Sequence, residues 1–278
     1  MDKKFEPGMI YRMPASFGPR TGPRQGPDGG KFACIDVPKA TTIAVTFLSD
    51  IEQLRALLPE GFSLAGEPLV TVSASYTTEI EWLAGRGYNM LGVRIPVTFR
   101  GEKDEVSGSF LSVLWENLAD PILTGRDELG VPKIWCELPP PEEEEGVTRV
   151  TASWLGFKFL DLSVKGLTEL SRDEINAGQE ALTGAGDLHL KYIPKTGAWG
   201  EADVCYVTHI PAAAPNRKIL QQWSATGDVR FQHARWEDMP TQYNIVNALA
   251  DLPVTEYRGA SITKTQGGKD LGDVRILR

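Results

Sequence analysis

One lysine, Lys133, lies in a sequence context that is unusual for a charged side chain. It follows Pro132 and precedes Ile134 and Trp135, a composition that predicts the start of a buried strand. Burial disfavours the charged form of an amine, so it lowers the pKa and leaves some neutral, nucleophilic amine near pH 7. A neutral amine condenses with a ketone to an iminium, which accepts electrons when a carbon–carbon bond breaks or forms. The alternative is that the stem of Lys133 lies along the surface and carries the ammonium group into water.

Further side chains are candidates for the same site. Glu128 lies five residues before Lys133 in a predicted turn, where it is either a general acid or base or a solvated turn residue. Arg126 either braces that turn or binds a substrate carboxylate. The other candidates for substrate binding interrupt or follow apolar strands, or carry a phenol that can donate a proton, and they are Arg94, Glu116, Tyr88 and Tyr257.

Most of the chain shows the alternation or apolar clustering that is typical of strands. The predicted strands are 42–48, 69–76, 90–99, 109–116, 133–138, 148–155, 157–164, 204–210, 227–231 and 254–262, with a turn at 139–146. Capping boxes predict one helix from Ser49 to the residues before Pro59 and another from Ser171 through Leu182, and a third helix is predicted over 240–252. Ten strands and three short helices indicate an α+β, β-rich single domain. A closed barrel or a sandwich suits it best, because closure removes sheet edges.

Composition narrows the class of protein. The chain has 278 residues, of which 41% are hydrophobic and 24% charged, as is usual for a globular protein. The net charge of −8 argues against a nucleic-acid partner, which would require a basic face. We expect no membrane span and a cytoplasmic location, because no apolar run approaches about 20 residues and the N-terminus has no signal-peptide pattern. The three cysteines and three histidines are scattered, so no metal site and no cofactor are predicted.

Residues 1–30 form a segment that is rich in proline and glycine, and residues 31–278 are expected to form the domain. The segment is either a loose tail or an ordered arm that covers an active site or a neighbouring subunit. In the second case, Arg12, Arg20 or Arg24 would be able to reach an anionic substrate.

The run Gly125-Arg126-Asp127, a short spacer and Pro132-Lys133 resembles the signature of the acetoacetate decarboxylase family. The resemblance extends from about Pro14 to about Ile262, through short anchors that occur in the family's order: 17–20 with 22–23, 50–60, 67–70, 95–99, 190–194 with Gly197, Trp223, Gly227 and 251–254. It implies that Lys133 forms the Schiff base. It also implies a closed, cone-like β-barrel of antiparallel or mixed strands with helices outside, and a homo-oligomer.

The chain also departs from the family pattern around this lysine. Ile134 stands where the decarboxylases have a second lysine, and no arginine lies near Ala40, where they have one. Ser73 and Met90 align with two active-site glutamates of the family, so both are expected to lie at the substrate site. The nucleophile is retained while the groups around it have changed.

These observations leave three functions open. The first is a Schiff-base lyase that acts on small keto acids, carrying out aldol condensation and dehydration, or retro-aldol cleavage, with pyruvate-like substrates and aldehydes. The second is a decarboxylase of acetoacetate or another β-keto acid. The third is a non-catalytic barrel that binds a small molecule and uses Lys133 only to pair with a carboxylate.

Overall fold

The computed structural model describes residues 5–181 and 186–278. Fourteen strands form one mixed sheet: β1 Lys39–Leu48, β2 Phe62–Leu64, β3 Leu69–Ile80, β4 Arg86–Arg100, β5 Glu105–Glu116, β6 Lys133–Trp135, β7 Glu142–Glu144, β8 Val147–Trp154, β9 Phe157–Glu169, β10 Gly186–Pro194, β11 Ala202–Pro211, β12 Lys218–Phe231, β13 Glu256–Gln266 and β14 Arg275–Leu277. The α-helices are α1 Ile51–Ala56, α2 Ala119–Thr124, α3 Arg172–Ala181 and α4 Tyr243–Ala250. A π-helix, Gly125–Leu129, continues α2, and short 3-10 helices lie at Ala15–Phe17 and Glu81–Leu83.

The strands follow the order β14-β11-β10-β5-β4-β3-β1-β13-β12-β9-β8-β7, with β2 paired to β4 and β6 paired to β5. Pairing is antiparallel except where β5 lies parallel to β6 and to β10. The predicted β-rich, mixed sheet is therefore present. The predicted closure into a barrel is not confirmed, because within the described residues the order is an open path that ends at β14 and β7.

All ten predicted strands overlap observed strands, but β10 was not predicted. The segment does alternate: Leu188 and Leu190 contact the main core, while Asp187, His189 and Lys191 lie on the opposite face. The strand pattern was therefore present in the sequence and was missed. The predicted turn at 139–146 was also partly wrong, since β7 lies within it and pairs with β8.

The helices begin close to the predicted positions, with two differences. The cap of α1 is Asp50 rather than Ser49, because the Asp50 carboxylate accepts a hydrogen bond from the Gln53 N–H. The capping box of α3 is present as predicted, with the Glu174 carboxylate accepting hydrogen bonds from both Ser171 N and Ser171 Oγ; Leu182 lies outside the described residues. In the described residues, no helix is both long and apolar enough to cross a membrane.

Alternating side chains of β4 and β5 pack into two apolar layers. The main core gathers inward residues of most strands and includes Trp115, which packs against Phe159 of β9 with the ring centres 5.1 Å apart. A smaller layer on the other side of β5 contains Leu111, Leu114, Leu129 and Val131. This smaller layer borders the site described next.

Candidate active site

Lys133 is the first residue of β6 and lies beside Leu114 in the parallel β5–β6 pair. Glu116, two residues further along β5, is on the same face as Leu114. The Nζ of Lys133 is 2.8 Å from Oε1 of Glu116 and 3.1 Å from the Pro121 carbonyl oxygen, to which it donates. Lys133 is 8% exposed and Glu116 is fully buried, so the amine and the carboxyl group face each other away from bulk water.

Burial decides the protonation of this pair. It lowers the pKa of Lys133, while the Glu116 carboxylate opposes that change and the Arg24 cation adds to it. Burial raises the pKa of Glu116, and the ammonium group of Lys133 opposes this. Each partner is thus shifted towards its neutral form, and a proton that leaves the amine has an acceptor within hydrogen-bond distance.

The segment that leads from α2 into the π-helix wraps around the lysine. Gly125 lies against the stem of Lys133: a Cβ at this position would be 2.4 Å from Cδ and 2.8 Å from Nζ. Arg126 donates from Nη1 to the Lys133 carbonyl oxygen at 2.9 Å, so it braces the turn. Gly130 ends the π-helix with φ of +78°, a conformation that glycine adopts without strain.

A cavity of about 200 Å³ opens at the amine. Its walls are mainly apolar and aromatic, and they include Phe32, Ile80, Trp82, Tyr88, Met90, Leu129 and Leu271. The Lys133 Nζ lies 5.9 Å from the centre of the Tyr88 ring. Burial, followed by the Glu116 carboxylate, raises the pKa of the Tyr88 phenol, which keeps its proton at neutral pH. Met90 lies directly opposite Glu116 in the β4–β5 register.

The arm supplies the cationic side of the cavity. Pro23 and Arg24 line it, and both Arg24 and Arg12 make ion pairs with Glu128. Burial raises the pKa of Glu128, but the hydrogen bonds from Arg12 and Arg24 outweigh this effect, and the pKa is lowered. Glu128 is therefore a carboxylate held by two arginines.

Two other predicted site residues, Arg94 and Ser73, take part in a hydrogen-bonded cluster that crosses β5. Arg94 of β4 donates from Nε and Nη2 to the two carboxylate oxygens of Asp187 on β10, at 2.9 and 3.0 Å, and from Nη1 to the Ser73 hydroxyl at 3.1 Å. Tyr257 lies apart from the cavity lining and donates to Asp228 at 2.9 Å. The structure thus brings Lys133, Glu116, Tyr88 and Met90 together, places Arg126 behind the lysine, and engages Glu128, Arg94, Ser73 and Tyr257 in other contacts.

A histidine, His189, is fully buried on β10, where its Nδ1 lies 3.4 Å from the Thr208 hydroxyl. That hydroxyl donates to the Leu129 carbonyl oxygen at the end of the π-helix. Burial lowers the pKa of His189 to about 4, so the ring is neutral at pH 7. His189 was not predicted as a site residue.

Several cavity residues were not found from the sequence. Glu81 and Trp82 belong to the short helix after β3, and Lys269, Asp270 and Leu271 precede β14. They are distant from Lys133 in sequence and belong to no motif, so only the fold reveals them. In the described residues, no group of three or more His, Cys, Asp or Glu side chains could hold a metal ion.

Comparisons with known proteins agree with this fold. Residues 12–266 match the model of the family described as acetoacetate decarboxylase (ADC), and the chain belongs to this family. It is similar to the solved structure of an acetoacetate decarboxylase, with 18% identity, a TM-score of 0.66, and coverage of 87% of this chain and 89% of the other. The chain is also similar to the acetoacetate decarboxylase from Legionella pneumophila, with 16% identity, a TM-score of 0.66, and coverage of 87% of this chain and 88% of the other.

A third similar structure is the enduracididine biosynthesis enzyme MppR, complexed with the condensation product of pyruvate and imidazole 4-carboxaldehyde. It has 16% identity and a TM-score of 0.60, with 90% of this chain and 93% of the other covered. At these identities the structural likeness shows the fold alone. No curated protein matches the chain significantly.

Proposed function

We propose that the protein is a Schiff-base lyase that condenses pyruvate-like keto acids with aldehydes and dehydrates the product, or catalyses the reverse cleavage. The observation that carries this proposal is the buried Lys133 amine, which lies 2.8 Å from Glu116 on the wall of a cavity. The similar solved structures include an acetoacetate decarboxylase and MppR complexed with a condensation product of pyruvate, which supports a small keto acid as the substrate.

Imine formation uses the pair directly. The neutral Lys133 nitrogen attacks the ketone carbon, and the carbonyl π electrons move to oxygen. The oxygen takes one proton from the nitrogen and one from the neutral Glu116 carboxyl group and leaves as water, so the iminium keeps one N–H and Glu116 becomes a carboxylate. The resulting iminium stays beside the Glu116 carboxylate, which compensates its positive charge.

Carbon–carbon bond formation follows from the same groups. Loss of a proton from the carbon next to the iminium gives an enamine, whose carbon attacks the aldehyde carbon. The aldehyde oxygen then takes a proton, and the neutral Tyr88 phenol is the donor that the site offers. Loss of a further proton and of water gives the unsaturated iminium, and a second water molecule hydrolyses it to the unsaturated keto acid and the free Lys133 amine.

The Arg24 cation favours condensation over loss of carbon dioxide. Arg24 lines the cavity and uses Nε and Nη2 for Glu128, while within residues 5–181 and 186–278 its Nη1 makes no hydrogen bond. A guanidinium N–H that faces the cavity would hold a substrate carboxylate in its charged form. Decarboxylation requires the opposite, a place where the loss of that charge is favourable.

The second candidate function is decarboxylation of a β-keto acid, which the apolar walls favour. Phe32, Trp82 and Leu129 offer a carboxylate no compensating charge, so a carboxylate that faces them would be destabilised and its loss accelerated. The two candidates therefore differ in which wall the carboxylate contacts.

Borohydride trapping followed by intact mass tests the imine. We expect pyruvate to add the mass of one reduced adduct to the wild type and none to Lys133→Ala. The matched control is Lys191→Met, because Lys191 is also 8% exposed but donates to the Asp127 carbonyl oxygen and does not line the cavity. An adduct on Lys133→Ala would refute the role of Lys133, and no adduct on any form would favour the non-catalytic binding barrel.

Product analysis separates the two reactions. With pyruvate and an aromatic aldehyde, we expect an absorbing unsaturated product and no carbon dioxide. Rapid carbon dioxide release from acetoacetate, without condensation, would instead support the decarboxylase.

A further inference from the structure

The first part of the chain, residues 10–26, is tied to itself. The Gln25 side chain accepts a hydrogen bond from Ile10 N at 2.8 Å and donates to the carbonyl oxygens of Ile10 at 3.1 Å and Arg20 at 3.0 Å. The backbones of Gly22 and Gln25 bond each other in both directions, and Gln25 is 3% exposed. These bonds close residues 10–26 into one compact unit, which we call the strap.

Within the part of the chain that the structure describes, the polar contacts between the strap and the domain converge on one side chain, that of Glu128. Within the described residues, the hydrogen bonds and ion pairs of residues 5–30 are internal except those of Arg12 and Arg24 with Glu128. Neither apolar layer includes a residue that precedes Ile43. Among the described residues, the polar contacts that hold the strap to the domain are therefore one ion-pair cluster outside both apolar layers, which places the strap among the segments that open at low free-energy cost.

The attachment lies at the cavity. Pro23 and Arg24 form part of the wall around Lys133, and Glu128 belongs to the same π-helix that begins with Gly125 against the lysine stem. Lifting residues 10–26 would remove this part of the wall, and among the described polar contacts it requires the release of one carboxylate, that of Glu128.

We propose that the strap is a lid over the lysine cavity and that Glu128 is its latch, so that ligands reach Lys133 when the two arginines release this carboxylate. Opening breaks the Arg12 and Arg24 ion pairs and leaves the internal bonds of the strap intact. The latch depends only on the contacts of the strap, whichever reaction Lys133 catalyses.

Limited trypsin digestion tests the latch without turnover. The side chains of Arg12 and Arg24 are 8% and 10% exposed, so trypsin can reach them only when the lid is open. Cleavage under these conditions follows the population of the open form. We expect Glu128→Gln to increase cleavage after Arg12 and Arg24 by about tenfold or more, because the charged contacts of the latch are lost.

The matched control is Asp127→Asn, which removes the same charge from the adjacent residue, whose side chain is exposed. It should cleave like the wild type. If Glu128→Gln does not fold, Arg12→Gln tests the same latch by cleavage after Arg24. Equal cleavage of the latch variant and the control would overturn the proposal, as would an increase in both.

Access to the amine is tested with acetone, a neutral ketone that needs no cationic partner. Under borohydride, acetone should label Lys133 faster in Glu128→Gln than in Asp127→Asn, and equal rates would overturn the gating role. If acetone and pyruvate label no form of the protein, the Schiff-base function fails, while the trypsin result still decides the latch.

Discussion

Replacing Gly125 with alanine should disable the site and leave the fold intact. The added Cβ would be 2.4 Å from Cδ, 2.5 Å from Cε and 2.8 Å from Nζ of Lys133. Non-bonded carbon atoms prefer about 3.5 Å or more, so the lysine end must move by about 1 Å. The amine would then leave its place beside Glu116, and a misplacement of about 1 Å costs about 100-fold in rate, or about 2.7 kcal/mol of activation free energy.

The same substitution should cost little stability. The atoms that must move are the end of a flexible side chain, and Gly125 already has helical angles, φ −67° and ψ −42°. Alanine in a helix is favoured over glycine by about 1 kcal/mol, which offsets part of the strain. We expect a free energy of unfolding within about 1 kcal/mol of the wild type.

The assay is the rate of pyruvate trapping under borohydride, measured beside urea unfolding. Gly178→Ala is the control, because Gly178 lies in α3 with no atom within 4 Å of an added Cβ. It should trap like the wild type. A folded Gly125→Ala protein with an unchanged trapping rate would show that the contact does not hold the amine in place.

Three further changes have defined outcomes. Glu116→Gln removes the carboxylate that raises the pKa of Lys133, so the pH dependence of trapping should move to lower pH. The maximal trapping rate should fall about 100-fold. An unmoved pH profile would argue against the pairing of Glu116 with Lys133. Ile134→Lys should lower the free energy of unfolding by about 2 kcal/mol, because Ile134 packs against the main core. Since this side chain does not face the cavity, the pH profile of trapping should stay unchanged, and a shifted profile would contradict this placement. His189 has a folded pKa of about 4 and a usual value of 6.5, so the unfolded chain takes up a proton first and stability is lost as pH falls from 6.5 to 4. The loss is about 3 kcal/mol in urea unfolding and should be absent in His189→Gln, and an equal loss in both proteins would exclude this residue as its source.

The burial of Lys133 was predictable because it depends on residues that are adjacent in the sequence. Lys133 is flanked by apolar side chains, and β6 begins at that residue as expected. Cys136, three residues later, is buried in the main core, on the side away from the amine, as strand alternation implies. Glu116 was predicted near the site because it follows an apolar strand. That it would face Lys133 depends on the parallel β5–β6 pairing, which the sequence does not reveal.

The assignment of Glu128 shows what local sequence leaves out. Its distance of five residues from Lys133 suggested a proton-transfer group, and that role remains untested. Its contacts depend on Arg12 and Arg24, which are more than 100 positions away. No turn rule anticipates a π-helix at this place. An arm over the active site was one of the two predicted alternatives, but its arginines were expected to bind a substrate and not Glu128.

The open sheet ends in β7, a strand of three exposed glutamates, Glu142–Glu144. A free edge presents unpaired N–H and C=O groups that would accept a strand from another molecule about 4.8 Å away. A second copy adding at this edge would bring carboxylates against carboxylates. Repulsion between the glutamates therefore disfavours pairing of this edge with the same edge of a second molecule, which protects the open sheet from aggregation.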